Sequence, residues 1–83
     1  MTSTVLTLIG KPDCHLCDDA RAVLRTVLAD FDGVELEEKS ILDDPELLEL
    51  YVEEIPVLKI NGRVHTIWRV DPARLRAALE NAE

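Results

Sequence analysis

The run Thr4-Val5-Leu6-Thr7-Leu8-Ile9 is apolar and rich in β-branched residues, and it stops at Gly10. It predicts a first strand buried on both faces. Lys11-Pro12-Asp13 then reads as a turn. From about Cys14 the apolar positions switch to helical spacing. Leu16, Ala20, Val23, Leu24, Val27 and Leu28 form one stripe, and Gly33 is a stop signal beyond it. Val34-Glu35-Leu36-Glu37 alternates with period two and predicts a second strand. Asp44-Pro45 opens a short helix, the Asp as cap and the ring at the first helical position, with Leu47, Leu48 and Tyr51 as its apolar face.

Two further strands, Val57–Ile60 and Arg63–Trp68, flank Asn61-Gly62. Asn-Gly is a strong hairpin signal because both residues accept positive φ. Asp71-Pro72 opens a last helix, with Leu75, Ala78 and Leu79 facing inward. The predicted order is β-α-β-α-β-β-α in one domain, residues 1–83. The first βαβ unit makes its two strands parallel, and the last two strands pair antiparallel. The result is an α/β fold with a four-stranded mixed sheet flanked by helices.

Charge narrows the function. Seventeen acidic residues face nine basic ones, for a net charge of −8, which disfavours a nucleic-acid partner. No apolar run approaches the roughly 20 residues of a membrane-spanning helix. Met1 to Thr4 carries no basic cluster, and Val5 to Ile9 is too short for the core of a signal peptide. These readings predict a cytoplasmic monomer without a membrane partner, in a compartment that keeps thiols reduced.

The two cysteines, Cys14 and Cys17, are three residues apart where the first strand hands over to the first helix. A helix start concentrates unpaired N–H groups and partial positive charge, which favours a thiolate. Cys14 is expected at the exposed end and Cys17 one turn further in. That division suits a nucleophile, Cys14, and a resolving thiol, Cys17, acting on a substrate disulfide. Competing readings are an inert buried pair and a zinc site, although zinc would want four ligands. Haem attachment needs a His directly after the second Cys, where Asp18 stands. Neither a metal nor another cofactor is expected. His15 and Lys11 would favour a Cys14 thiolate, whereas Asp13, Asp18 and Asp19 would oppose it.

Glu54-Ile55-Pro56-Val57 is a second constellation. Pro56 at a strand start is a position where its missing N–H does little harm. Backbone groups of Ile55 left free there would pair with an extended substrate segment. Trp68 is expected in the core or against the sheet, His65 in solvent, and Arg69 in a surface ion pair.

With these elements in place, the chain resembles the glutaredoxin-like branch of the thioredoxin superfamily over nearly its whole length. The resemblance rests on Leu6-Thr7-Leu8-Ile9, Lys11-Pro12-Asp13-Cys14-His15-Leu16-Cys17, Ile55-Pro56-Val57-Leu58 and Asn61-Gly62. It implies a thioredoxin fold, a thiol–disulfide oxidoreductase, and a cis-Pro56 in a substrate-docking turn with Ile55. The implied partners are a disulfide-containing protein or low-molecular-weight disulfide, with glutathione or thioredoxin reductase as a source of electrons. The chain departs from the family in His15-Leu16, where Pro-Tyr is usual. It also lacks the Gly pair that helps hold glutathione before the last helix, although Asp71 opens that helix. Two other roles compete: a non-catalytic binding module or redox sensor, and an iron–sulfur carrier.

Overall fold

The computed structural model describes residues 4–81, so the reading of Met1 to Thr4 falls largely outside it. The elements are β1 (Thr4–Gly10), α1 (His15–Leu28), β2 (Val34–Ser40), α2 (Pro45–Tyr51), β3 (Val57–Ile60), β4 (Arg63–Ile67) and α3 (Pro72–Asn81). Their order is the one the hydrophobic pattern predicts. The strands lie in the order β2-β1-β3-β4. β1 is parallel to β2, while β1 with β3 and β3 with β4 are antiparallel. No helix among the described residues is long and apolar enough to cross a membrane.

Side chains alternate across the sheet, so β1 feeds two layers. On one face Leu6, Leu8 and Leu58 pack with Ala20, Leu24 and Val27 of α1 and Leu75 and Leu79 of α3. On the other, Ile9, Ile41 and Val57 meet Leu47 and Tyr51 of α2. This second layer covers only the end of the sheet near Gly10. Val5 and Thr7 are therefore half-buried, and β1 is closed on both faces only where it approaches the cysteines.

Local chemistry accounts for the boundaries. The Asp44 carboxylate accepts from the Glu46 N–H at 2.9 Å and caps α2. Asp71 does the same for α3, from Ala73 at 2.9 Å and Arg74 at 3.4 Å. Asn61 and Gly62 take φ of 50° and 85°, as the hairpin requires. The Asn61 side chain also accepts from the Val5 N–H at 2.9 Å, tying the turn to the start of β1.

Four expectations are corrected. β2 runs on to Ser40, because pairing of Glu38, Lys39 and Ser40 with Leu8, Ile9 and Gly10 outweighs their polar composition. Leu16 lies at the rim of α1, and the buried apolar position of the first turn is Cys17. Leu48 is on the outer side of α2, a helix that buries none of its residues fully. Trp68 lies beyond β4 and is 54% exposed rather than in the core.

Candidate functional site

α1 begins at His15, with Cys14 as its cap in extended conformation (φ −104°, ψ 113°). The Cys14 Sγ accepts a hydrogen bond from the Cys17 N–H at 3.2 Å. The sulfur thus does for this helix what an Asp or Ser oxygen does for others. The Cys14 carbonyl accepts the next bond, from the Asp18 N–H at 3.0 Å. Cys14 and Cys17 are joined as a disulfide, with Cα atoms 5.1 Å apart. Cys14 is half-buried, whereas Cys17 is only 1% exposed. The two sulfurs therefore differ sharply in access, and Cys14 is the one a large reactant can reach.

Gly10 explains how Cys17 fits against the sheet. A Cβ at Gly10 would stand 2.7 Å from the Cys17 Sγ, closer than such contacts occur. By its place in the pattern Gly10 is a strand end. A glycine closing an otherwise apolar strand also signals close approach of another group, which is its use here.

Two hollows flank the cysteine loop. The first, about 340 Å³, is walled by Gly10, Lys11, Asp13, Cys17, Arg21 and Glu38. Arg21 is one helical turn past Cys17. Its Nε donates to Glu38 at 2.5 Å and its Nη1 to Asp18 at 2.8 Å. These two carboxylates, Glu38 more than Asp18, raise the Arg21 pKa above its ordinary value. The Asp18 charge, expected to act on Cys14, is engaged by Arg21 instead. Lys11 is exposed at this rim, beside Cys17, and His15 is exposed as the first helical residue. The Arg21–Glu38 pair was not foreseen, because period and composition do not reveal which strand position faces which helix turn.

The second hollow, about 200 Å³, is walled by Leu16, Asp19, Ala20, Val23, Trp68 and the two residues after it. Trp68 links it to the second constellation. The Ile55–Pro56 peptide bond is cis, and Pro56 is buried. The Pro56 carbonyl accepts from the Trp68 N–H at 2.8 Å. Only one of the Ile55 backbone groups is free as expected. Its N–H donates to the Tyr51 carbonyl at 3.1 Å, an acceptor at the C-terminal end of α2 that it shares with the Glu54 N–H at 2.8 Å. The Ile55 carbonyl has no hydrogen-bond partner among the described residues.

Two peripheral expectations also change. His65 is half-buried where the β3–β4 register slips, and burial first, then the charge of Arg74, lowers its pKa. Arg69 makes no ion pair among the described residues, although acids outnumber bases in the chain.

Comparison with known proteins agrees with this arrangement. Residues 5–80 match the glutaredoxin-like domain family DUF836. An X-ray structure of target protein XcR50 from X. campestris is 38% identical, with a TM-score of 0.76 over 94% of this chain and 99% of that one. The solution structure of protein Ne2328 from Nitrosomonas europaea is 26% identical, with a TM-score of 0.79 over 94% and 93% of the two chains. Oxidised mitochondrial thioredoxin 3 from Saccharomyces cerevisiae, 13% identical, superposes with a TM-score of 0.69 over 98% of this chain and 80% of its own. It shares the fold. The chain is a thioredoxin-fold protein with a Cys14–Cys17 pair at disulfide distance, and it belongs to the glutaredoxin-like domain family.

Proposed function

We propose that the protein is a dithiol thiol–disulfide oxidoreductase, with Cys14 as nucleophile and Cys17 as resolving thiol. The observation that carries this reading is the unequal pair at the start of α1. One sulfur caps the helix within reach of solvent, and the other is buried one turn behind it.

In the reduced protein the helix N-terminus and the Cys17 N–H favour a Cys14 thiolate. That thiolate attacks one sulfur of a substrate disulfide. A Cys14–substrate bond forms, the substrate S–S bond breaks, and the first substrate sulfur leaves as a thiolate and takes a proton from water. Cys17 then loses its proton and attacks the Cys14 Sγ. The Cys14–Cys17 bond forms, and the second substrate sulfur leaves as a thiol. Two electrons from a thiol reductant, glutathione or a thioredoxin reductase, restore the dithiol. Gly10 supports the second step by letting Cys17 lie against β1 within reach of Cys14. The free Ile55 carbonyl beside Pro56 offers an acceptor to an N–H of the substrate backbone. The reading extends to a cytoplasmic monomer acting on protein or low-molecular-weight disulfides.

The test is turnover of a disulfide substrate with glutathione as reductant, together with a redox titration of trapped thiols by mass. A reversible two-electron transition between about −270 and −120 mV is expected. Cys14→Ser is to abolish turnover, and unchanged turnover in that variant would remove Cys14 as the nucleophile. Cys17→Ser is to accumulate a Cys14 mixed disulfide.

A further inference from the structure

Trp68 has a backbone conformation that bulky residues avoid, with φ of +68°. The Arg69 N–H donates to the Ile67 carbonyl at 2.8 Å, closing a tight γ-turn around Trp68 of the strained hand. Several bonds hold it. The Trp68 N–H donates to the Pro56 carbonyl at 2.8 Å, and the Thr66 hydroxyl to the Arg69 carbonyl at 2.9 Å. The indole N–H donates to the Glu53 carbonyl at 3.0 Å. Strain maintained in this way clusters at functional sites. Here it fixes an aromatic ring that is 54% exposed.

Trp68 lines the second hollow, beside the Cys14–Cys17 loop. Leu16, between Cys14 and Cys17 in sequence, is 38% exposed and shares that hollow with Trp68. Arg69, without an ion-pair partner among the described residues, and Asp19 also line it. The hollow therefore joins the apolar residues Leu16, Ala20 and Val23 to one charge of each sign. A small disulfide such as oxidised glutathione has carboxylate and ammonium groups for the two charges but no apolar side chain for Leu16, Ala20 and Val23. A polypeptide supplies all three: an apolar side chain for these residues, an acidic one for Arg69, and a backbone or basic donor for Asp19.

We propose that Trp68 is a specificity-determining residue of this site. With Leu16 and Arg69 it docks the apolar and acidic side chains flanking the reactive cysteine of a polypeptide, and so selects polypeptide disulfides over small ones. The proposal rests on the oxidoreductase reading and names its substrate class.

Trp68 is the single tryptophan of the chain, so its emission reports on the ring directly. In Cys17→Ser, a mixed disulfide is formed between Cys14 and a short synthetic peptide with Asp and Leu beside its cysteine. Its formation is followed by mass, with 2-mercaptoethanol as the small comparison. The peptide adduct is to shift Trp68 emission to the blue, and the small adduct is not. In kinetics with intact cysteines, the ratio of kcat/KM for the peptide disulfide to that for hydroxyethyl disulfide is to fall about tenfold or more in Trp68→Ala, the size of one apolar contact in a specificity pocket. Trp68→Phe keeps the apolar ring but loses the bond to Glu53, so it is to recover most of that ratio. A ratio lost equally in both variants would make Trp68 a fastener of its turn and overturn the proposal. A peptide adduct with unchanged emission and an unchanged ratio would overturn it too, leaving the oxidoreductase intact. No adduct with either thiol would remove the oxidoreductase reading and this proposal with it.

Discussion

The two faces of the sheet are built to different depths. The face under α1 and α3 holds Leu6, Leu8, Leu24, Leu58, Leu75 and Leu79 in one continuous buried cluster. The face under α2 holds Ile9, Ile41 and Val57, and α2 itself buries no residue fully. The candidate site draws on both. Its cysteines are carried by α1 on the deep side, while the Ile55–Pro56 turn follows directly from α2 on the shallow side. The difference teaches where rigidity is placed. The sulfurs must meet within a bond length and sit on the well-packed helix, whereas the Ile55–Pro56 turn, to which the proposed function gives substrate docking, is attached to the element with least buried surface. Low local burial is where segments that adjust to a partner are found.

The strongest test of this contrast is a pair of truncations. Leu24→Ala opens a cavity in the deep cluster and is to cost about 2–5 kcal/mol, a large part of the stability of a domain this small. Leu48→Ala on the outer side of α2 is to stay within about 0.5 kcal/mol. Urea denaturation followed by far-UV circular dichroism measures both. Equal losses would break the comparison.

A second change acts at the seam between the faces. Gly10→Ala puts a methyl group 2.7 Å from the Cys17 Sγ, with backbone on one side and a buried sulfur on the other. The expected loss is about 1–3 kcal/mol, the usual cost of overpacking. It should also shift the reduction potential of the Cys14–Cys17 pair, since the clash is with one of the two sulfurs. A loss of stability with no shift in potential would mean that Cys17 moves away without disturbing its bond to Cys14.

The helix caps sharpen the contrast further. Asp71→Ala removes a carboxylate that accepts from two N–H groups of a helix anchored by Leu75 and Leu79, and is to cost about 1 kcal/mol. Asp44→Ala removes one such bond from the lightly buried α2 and is to cost less, about 0.5 kcal/mol. Comparing the two denaturation midpoints decides the order, and a larger loss for Asp44 would place more of the stability on α2 than its burial suggests.

Much of this was legible in the chain. The strand under Leu6 and Leu8, the Asn61-Gly62 turn and the two Asp-Pro helix starts are local signals, and the fold follows them. The position of Cys14 at the start of α1 was equally readable, since strand, turn and helical stripe meet there. What escaped the sequence depends on pairs of residues far apart. Glu38 looks like one acid among many until the β1–β2 register places it opposite Leu8 and within reach of Arg21. Gly10 looks like a stop until Cys17 is packed against it. Trp68 misled because its size predicts burial, whereas the turn around it is set by hydrogen bonds to Pro56 and Glu53 that no periodicity encodes.

The smallest effect concerns His65, read from sequence as solvated. It lies at the irregularity of the β3–β4 pairing, half-buried and near Arg74 of α3, so it borders the deep face. Burial disfavours its charged form, and the Arg74 charge adds to this, so its pKa in the folded protein lies below the ordinary 6.5. The unfolded chain then takes up a proton at higher pH than the folded one does. The His65 contribution to stability is complete above the ordinary value and declines as pH falls from there through the folded value. His65→Gln removes that contribution, so its stability is to fall less than that of the unaltered chain on going from pH 7 to about pH 5. Parallel pH profiles for the two chains would mean that the irregularity leaves His65 in water, and that the deep face ends before β4.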